Sequence, residues 1–189
     1  SYAGELGYVI KLLGHAQPQS PATVQPCLVA KTGQLAQIGG ALNAVEFTAE
    51  PVQTVLCTGP GAGAGPTASA VLADVIDVAA SRGGLPFGMR VGQLARATQK
   101  KDKQARRYYL RLMVMDETGV LSAVTSILRD QQISVESMLQ KGQSDDKPVA
   151  LVLTTHPTAP DQIKAACSSL SSARFISGAV MALPIVDEA

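Results

Sequence analysis

The chain is short of the residues that build metal centres and disulfide frameworks. It has two histidines, His15 and His156, and three cysteines, Cys27, Cys57 and Cys167. Two histidines are too few for a histidine-rich metal site. The cysteine count is odd, the spacing is wide and no CxxC occurs, so neither a disulfide nor a zinc framework is expected. Buried thiols in a reducing compartment fit better, and a cytoplasmic location is the expectation. Charge is scarce as well: charged residues make up 16% of the chain, with Lys+Arg 16 against Asp+Glu 15. That balance argues against broad nucleic-acid binding through phosphate contacts. No run of about 18 apolar residues occurs, so no membrane span is expected. No basic-then-apolar leader signals secretion. The chain opens at Ser1 directly into the patterned segment SYAGELGYVIKLLG, which reads as part of something longer.

What is present is material for a core. Hydrophobic residues are 46% of the 189, enough for one full core or two small ones and too many for disorder throughout. The first stretch, residues 1–84, reads as short strands followed by a helix. Tyr8 to Leu13, Thr23 to Val29, Asn43 to Thr48 and the segment from Val52 are strand candidates, with neighbours paired antiparallel. Pro26 demotes the second to an edge or a kinked strand. A helix follows with Pro66 in its first turn and Gly83 as its stop. Val71, Val75, Val78 and Ala79 share one face, Leu72 and Ile76 flank it, and Asp74 and Asp77 lie on the polar side. So broadly apolar a helix is expected to be buried.

Residues 85–106 read as a linker. Gly and Pro come early, and Arg90, Arg96, Lys100, Lys101, Lys103, Arg106 and Arg107 then face a single acid, Asp102. A solvated connector is favoured over an anion-binding patch.

Residues 107–189 carry the clearest periodicity. Tyr108, Leu110, Leu112 and Val114 alternate, and Val120, Leu121, Val124, Ile127 and Leu128 form an amphipathic stripe. A strand with Ile133 and Val135 inward, a hairpin loop at GQSDDK and a buried strand at PVALVLTTH come next. Thr158 and Asp161 suggest a capping box, and Ile163, Ala166, Cys167 and Leu170 a second helical stripe. The last strand bends at Gly178 and ends near Pro184. The order is β-α-β-β-α-β, the ferredoxin-like arrangement. The expected class is α+β: a mixed-sheet fragment with one buried helix, followed by this domain.

The conspicuous chemical motif is GPGAGAGPTA. It offers a strand, a backbone free of side chains and a helix N-terminus, which together suit a phosphate or a cofactor edge. Gly59-x-Gly61-x-x-Ala64 fits the loose dinucleotide fingerprint. A complete βαβ unit needs a second parallel strand and an acidic residue about 20 positions on. Here SRGGLPFG follows the helix and Asp77 falls inside it. A tight strand-to-helix turn that merely permits close packing is therefore the competing reading.

GYVIKLLG, LNAVEF and GPGAGAGPTASAVLADVIDVA resemble the later part of the catalytic region of homoserine dehydrogenase. YYLRLMVMDETGVLSAVTSILRDQQISVESMLQKG resembles the ACT regulatory domain attached to many members. The resemblance implies an NAD(P)-dependent oxidoreductase that interconverts L-homoserine and L-aspartate 4-semialdehyde, in threonine and methionine biosynthesis. It also implies that the nucleotide-binding half, the substrate carboxylates and the proton-transferring lysine lie upstream. No catalytic residue is assigned here, and Lys11 is rejected because it lies outside that lysine's motif.

On the same basis Gly61, Ala62 and above all Gly63 are expected at the cofactor. Asp116, Gly119 and Val120 are expected at an amino-acid effector, with threonine leading, and a homo-oligomer is expected. The alternative is a stand-alone ACT protein that binds amino acids without catalysis. His15 reads as a turn residue, His156 as a strand-end residue, and the three cysteines as small core residues.

Overall fold

The computed structural model describes residues 2–17, 20–85, 88–95, 101–141 and 147–187. In chain order the elements are α1 (Tyr2–Glu5), β1 (Tyr8–His15), β2 (Thr23–Ala30), β3 (Leu42–Ala49), β4 (Gln53–Pro60), α2 (Ala64–Ala79), β5 (Tyr108–Val114), α3 (Val120–Asp130), β6 (Val135–Lys141), β7 (Val149–Thr155), α4 (Pro160–Ser171) and β8 (Met181–Val186). They fall into two compact units, Ser1–Gly33 with Lys100–Glu188, and Gln34–Gln99.

The first unit is built on a six-stranded sheet in the order β1-β2-β8-β5-β7-β6. The expected βαββαβ order is present, and the alternation of β5 decides which face each side chain serves. Leu110, Leu112 and Val114 point to the helix side, where they share one core with Val120, Val124 and Leu128 of α3 and Ile163, Ala166 and Leu170 of α4. Ile127 and Cys167 pack against that core from its margin. Strand β7, paired on both sides by β5 and β6, is buried along its whole length, as its near-continuous apolar run requires. Its Thr155 is fully buried and accepts the Tyr108 amide hydrogen bond at 3.1 Å.

The other face carries a smaller core in which Ala3 and Leu28 meet Tyr109, Val152 and Ile185. This core departs from the sequence reading, which kept the first strands within residues 1–84. The β1–β2 hairpin instead extends the sheet of the C-terminal segment. β2 runs parallel to β8, pairing Leu28 with Ile185 and Val29 with Val186. The apolar end of β2 buries its edge there, and Leu28 and Val29 have no exposed surface. Pro26 pairs with Leu12 of β1, outside the short stretch where β8 pairs, so an interior strand tolerates it. Replacing Leu28 by alanine would leave a cavity in this core. A loss of about 2–5 kcal/mol in urea unfolding is expected.

Three local expectations are corrected. Helix α2 ends at Ala79 and the chain reverses at Ser81 (φ 53°), so Gly83 is not its stop. The N-cap of α4 is Ala159, whose amide donates to Gln162 Oε1 at 3.1 Å. Thr158 instead bonds the His156 carbonyl, so Thr158 and Asp161 form no box. Strand β8 continues through Pro184 to Val186. Ile185 donates to the Arg107 carbonyl at 2.9 Å, so the missing amide hydrogen of Pro184 falls on the alternate side of the strand. The GQSDDK loop, up to Asp146, and residues 96–100 of the expected linker lie outside the described residues.

In the second unit β3 and β4 form an antiparallel two-stranded sheet, with Val45 opposite Cys57 and Phe47 opposite Val55. Helix α2 was expected to be buried and is not: none of its residues is buried, and Val71 and Val75 are more than half exposed. Its apolar surface has no covering layer among the described residues.

Candidate functional site

Two segments carry the residues expected to bind small molecules. The first is the turn between β4 and α2, where each glycine is needed for its own reason. Gly61 donates its amide to the Ala41 carbonyl at 3.1 Å and lies against Asn43. A Cβ there would fall 1.1 Å from Asn43 Nδ2, so the amide side chain would have to move. Gly63 has steric room, since a Cβ would meet only Pro66 Cδ at 3.6 Å, an ordinary contact. Its constraint is conformational: φ 119° and ψ 157° place it in a region essentially closed to L side chains. From that position Gly63 caps α2 and its carbonyl accepts the Thr67 amide at 3.1 Å.

Gly61, Ala62 and Gly63 are all exposed. Among the described residues no backbone acceptor takes the amides of Ala62 and Gly63. The turn thus presents two bare donors at a helix N-terminus, which fits an anionic or polar cofactor edge. It fits as one wall only, because β3 and β4 are antiparallel and α2 ends in a turn at Ala80 and Ser81.

The second segment is Asp116–Val120, between β5 and α3. Gly119 sits in the left-handed region (φ 92°, ψ −10°) and caps α3, its carbonyl accepting the Ala123 amide at 2.9 Å. The expected residues play unequal parts. Val120 buries its side chain in the main core, and its amide donates to the Glu117 carbonyl at 3.3 Å. Asp116 is exposed and accepts from Gln140 Nε2 at 3.3 Å. Capping of α3 by Asp116 is not seen, because the helix has no side-chain cap at all. The loop is pinned at its base, where Met115 donates to the Phe175 carbonyl at 2.9 Å and Ser177 to the Met113 carbonyl at 2.7 Å.

A third cluster escaped the sequence reading. Arg107 donates to Glu136 Oε2 from Nε at 3.0 Å and to Asp187 Oδ1 from Nη1 at 3.1 Å. Thr154 Oγ1 donates to the same Glu136 oxygen at 3.1 Å and lies 2.6 Å from Ser137 Oγ. The hydrogen bond from Arg107 holds the Glu136 carboxyl below its ordinary range, against the opposing effect of burial, and Thr154 adds to it. A depressed carboxylate pKa stabilises the fold above the unfolded value, about 4.3 for Glu, and that stability goes as pH falls through the folded value. Glu136→Gln should therefore flatten the acid limb of a pH–stability profile below about pH 4.5 and lower stability at neutral pH.

The remaining candidates have structural roles. Cys27 is buried and Cys167 partly so, and burial pushes both thiols up. Cys57 is exposed, which corrects its assignment to a core. His15 is the last residue of β1 rather than part of a turn, and His156 follows β7 and donates its amide to the Ser134 carbonyl at 3.0 Å. Among the described residues no group of histidine, cysteine and carboxylate side chains could hold a metal ion, and no helix is long and apolar enough to cross a membrane.

Residues 1–76 match the homoserine dehydrogenase family and residues 108–170 the ACT domain family. The homoserine dehydrogenase of Neisseria gonorrhoeae is 37% identical over 183 residues, a span covering 90% of this chain and 42% of that protein. The chain belongs to the homoserine dehydrogenase family. It comprises that family's C-terminal region followed by an ACT domain.

The Pseudomonas aeruginosa homoserine dehydrogenase is 33% identical, covering 98% of this chain and 45% of its own. A crystal structure of a homoserine dehydrogenase from Thiobacillus denitrificans superposes with a TM-score of 0.83 at 35% identity, over 98% of this chain and 44% of that one. The S. aureus homoserine dehydrogenase, at 22% identity and a TM-score of 0.59, shares the fold. The chain thus spans under half the length of the relatives it matches. The family is one of NAD(P)-dependent oxidoreductases of amino-acid biosynthesis.

Proposed function

We propose that residues 1–189 are the C-terminal part of an NAD(P)-dependent homoserine dehydrogenase that interconverts L-homoserine and L-aspartate 4-semialdehyde in the cytoplasm. The observation that carries this reading is the 35% identity with the Thiobacillus denitrificans enzyme over 98% of the chain. In this reading the nucleotide-binding half lies in the part of the protein outside this chain, and NAD(P) supplies the hydride acceptor. The turn at Gly61, Ala62 and Gly63 contributes one wall of the cofactor site through its bare amides. The exposed apolar face of α2 packs on that same half. None of the 189 residues moves the substrate proton.

The segment Asp116–Val120 holds an amino-acid effector. Exposed amides at the Gly119 turn receive its carboxylate and Asp116 its ammonium, and threonine, as the product of the pathway, is the leading effector. An effector alters turnover only by binding one conformation or assembly better than another, and the working assembly is a homo-oligomer.

The test is direct. The purified 189-residue chain should give no NAD(P)-dependent oxidation of homoserine, and the chain joined to its nucleotide-binding half should turn over. Light scattering of the joined protein should give at least a dimer. Turnover by the 189-residue chain alone would overturn the division of labour, and none from the joined protein would overturn the assignment.

A further inference from the structure

The boundaries of the two families and those of the two compact units do not coincide. Residues 1–76 match homoserine dehydrogenase, yet Ser1–Gly33 pack with the ACT segment in one unit. Helices α3 and α4 cover one face of its sheet. On the other face lies α1. Ala3 is only 5% exposed and shares the smaller core with Leu28 of β2, Tyr109 of β5, Val152 of β7 and Ile185 of β8, and Tyr2 and Leu6 pack against that core.

A helix of four residues does not hold its shape alone in water. Here the sheet holds it, and Lys31, just past β2, ties it down. The Lys31 ammonium donates to the Gly4 carbonyl, and its amide donates to the Gly7 carbonyl at 2.8 Å. Strand β5 touches both ends of this arrangement: Tyr109 lies in the core with Ala3, and the strand ends at Val114, just before Asp116.

We infer that α1 is a relay on the open face of the ACT sheet: it leaves that face only when the whole unit opens, so effector binding at Asp116–Val120 steadies α1 as well. A ligand that binds the folded unit slows every opening that requires the unit to open, in proportion to its concentration over Kd, and leaves local fraying untouched. The consequence for turnover rests on the proposed function, in which the proton-moving residues lie upstream of α1. The docking of α1 does not.

The experiment is thiol labelling of the joined, full-length protein carrying Ala3→Cys, read at residue 3 by peptide mass under conditions where the rate is proportional to reagent. Labelling should be at least about a hundredfold slower than in urea. Val124→Ala, in the core on the opposite face and out of contact with α1, should speed it by about tenfold. Unchanged labelling in Val124→Ala would mean that α1 frays by itself and would overturn the relay. If Val124→Ala fails to fold, Ile127→Val, at the margin of the same core, should give about a threefold change. If Ala3→Cys fails to fold, hydrogen exchange at the Lys31 amide, bonded to Gly7, gives the same comparison.

Threonine at ten times its Kd should slow labelling at residue 3 by about tenfold. Calorimetric binding of threonine with no slowing would overturn the relay and leave the effector reading intact. No binding at all would overturn threonine as the effector, and the Val124→Ala comparison would still decide the relay.

Discussion

Gly63→Val in the full-length enzyme is expected to raise the KM for NAD(P) by about tenfold or more, a change of roughly 1.4 kcal/mol, while the KM for homoserine moves by less than about threefold. The cause is backbone geometry rather than crowding. A Cβ at Gly63 has room, with Pro66 Cδ at 3.6 Å its nearest neighbour, but φ 119° is unavailable to valine without strain of about 1–3 kcal/mol. The turn would relieve that strain by rotating. The amides of Ala62 and Gly63 would then leave the line they hold at the start of α2. Cofactor binding depends on that line in the proposed site, whereas homoserine binding depends on residues outside this chain.

Gly61→Ala is the informative companion. It disturbs Asn43 rather than the helix cap, so it should lower stability with a smaller change in cofactor KM. Steady-state kinetics with each substrate varied in turn separates the two outcomes. An equal rise in both KM values would remove the turn from the cofactor site.

The contrast between these glycines marks where a sequence stops being legible. Motif spacing singles out the whole of GPGAGAGPTA, but only the fold distinguishes a residue held by Asn43 from one held by its own dihedral angle. Alternation in β5 and the stripe of α3 could be read directly, because each pattern reports a face whose covering residues lie in the same segment.

The pairing of Leu28 with Ile185 leaves no such local trace. Strand β2 reads as an ordinary hairpin arm, and its second partner stands 157 positions on, as the numbers 28 and 185 give. In sequence Arg107 reads as the end of a basic run for the same reason, since Glu136 and Asp187 are remote from it. For α2 the pattern reports that an apolar surface exists. What covers it is not encoded in the helix itself, and the inference from apolar to buried failed there.

Gly119→Val is expected to abolish saturable threonine binding, and Asp116→Ala only to weaken it. Gly119 stands at φ 92° with open space around a notional Cβ, so the cost of valine is again conformational. A β-branched residue is an outlier in the left-handed region, at roughly 1–2 kcal/mol. That cost falls on the residue whose carbonyl accepts the Ala123 amide and starts α3. The helix can escape the strain only by unwinding its first turn, and the amides proposed to receive the effector carboxylate would turn with it. Val124 and Leu128, fully buried further along α3, hold the rest of the helix in place, so the damage should stay local.

Asp116 stands differently. It is exposed and already accepts from Gln140, so its removal costs one ammonium contact and leaves the turn intact. Calorimetric titration of the oligomer with threonine, isoleucine and methionine measures both variants, and the melting temperature of each without ligand controls for folding. Full-strength threonine binding by Gly119→Val would place the effector elsewhere. No heat and no melting shift from the wild type with any of the three amino acids would reduce Asp116–Val120 to a structural turn.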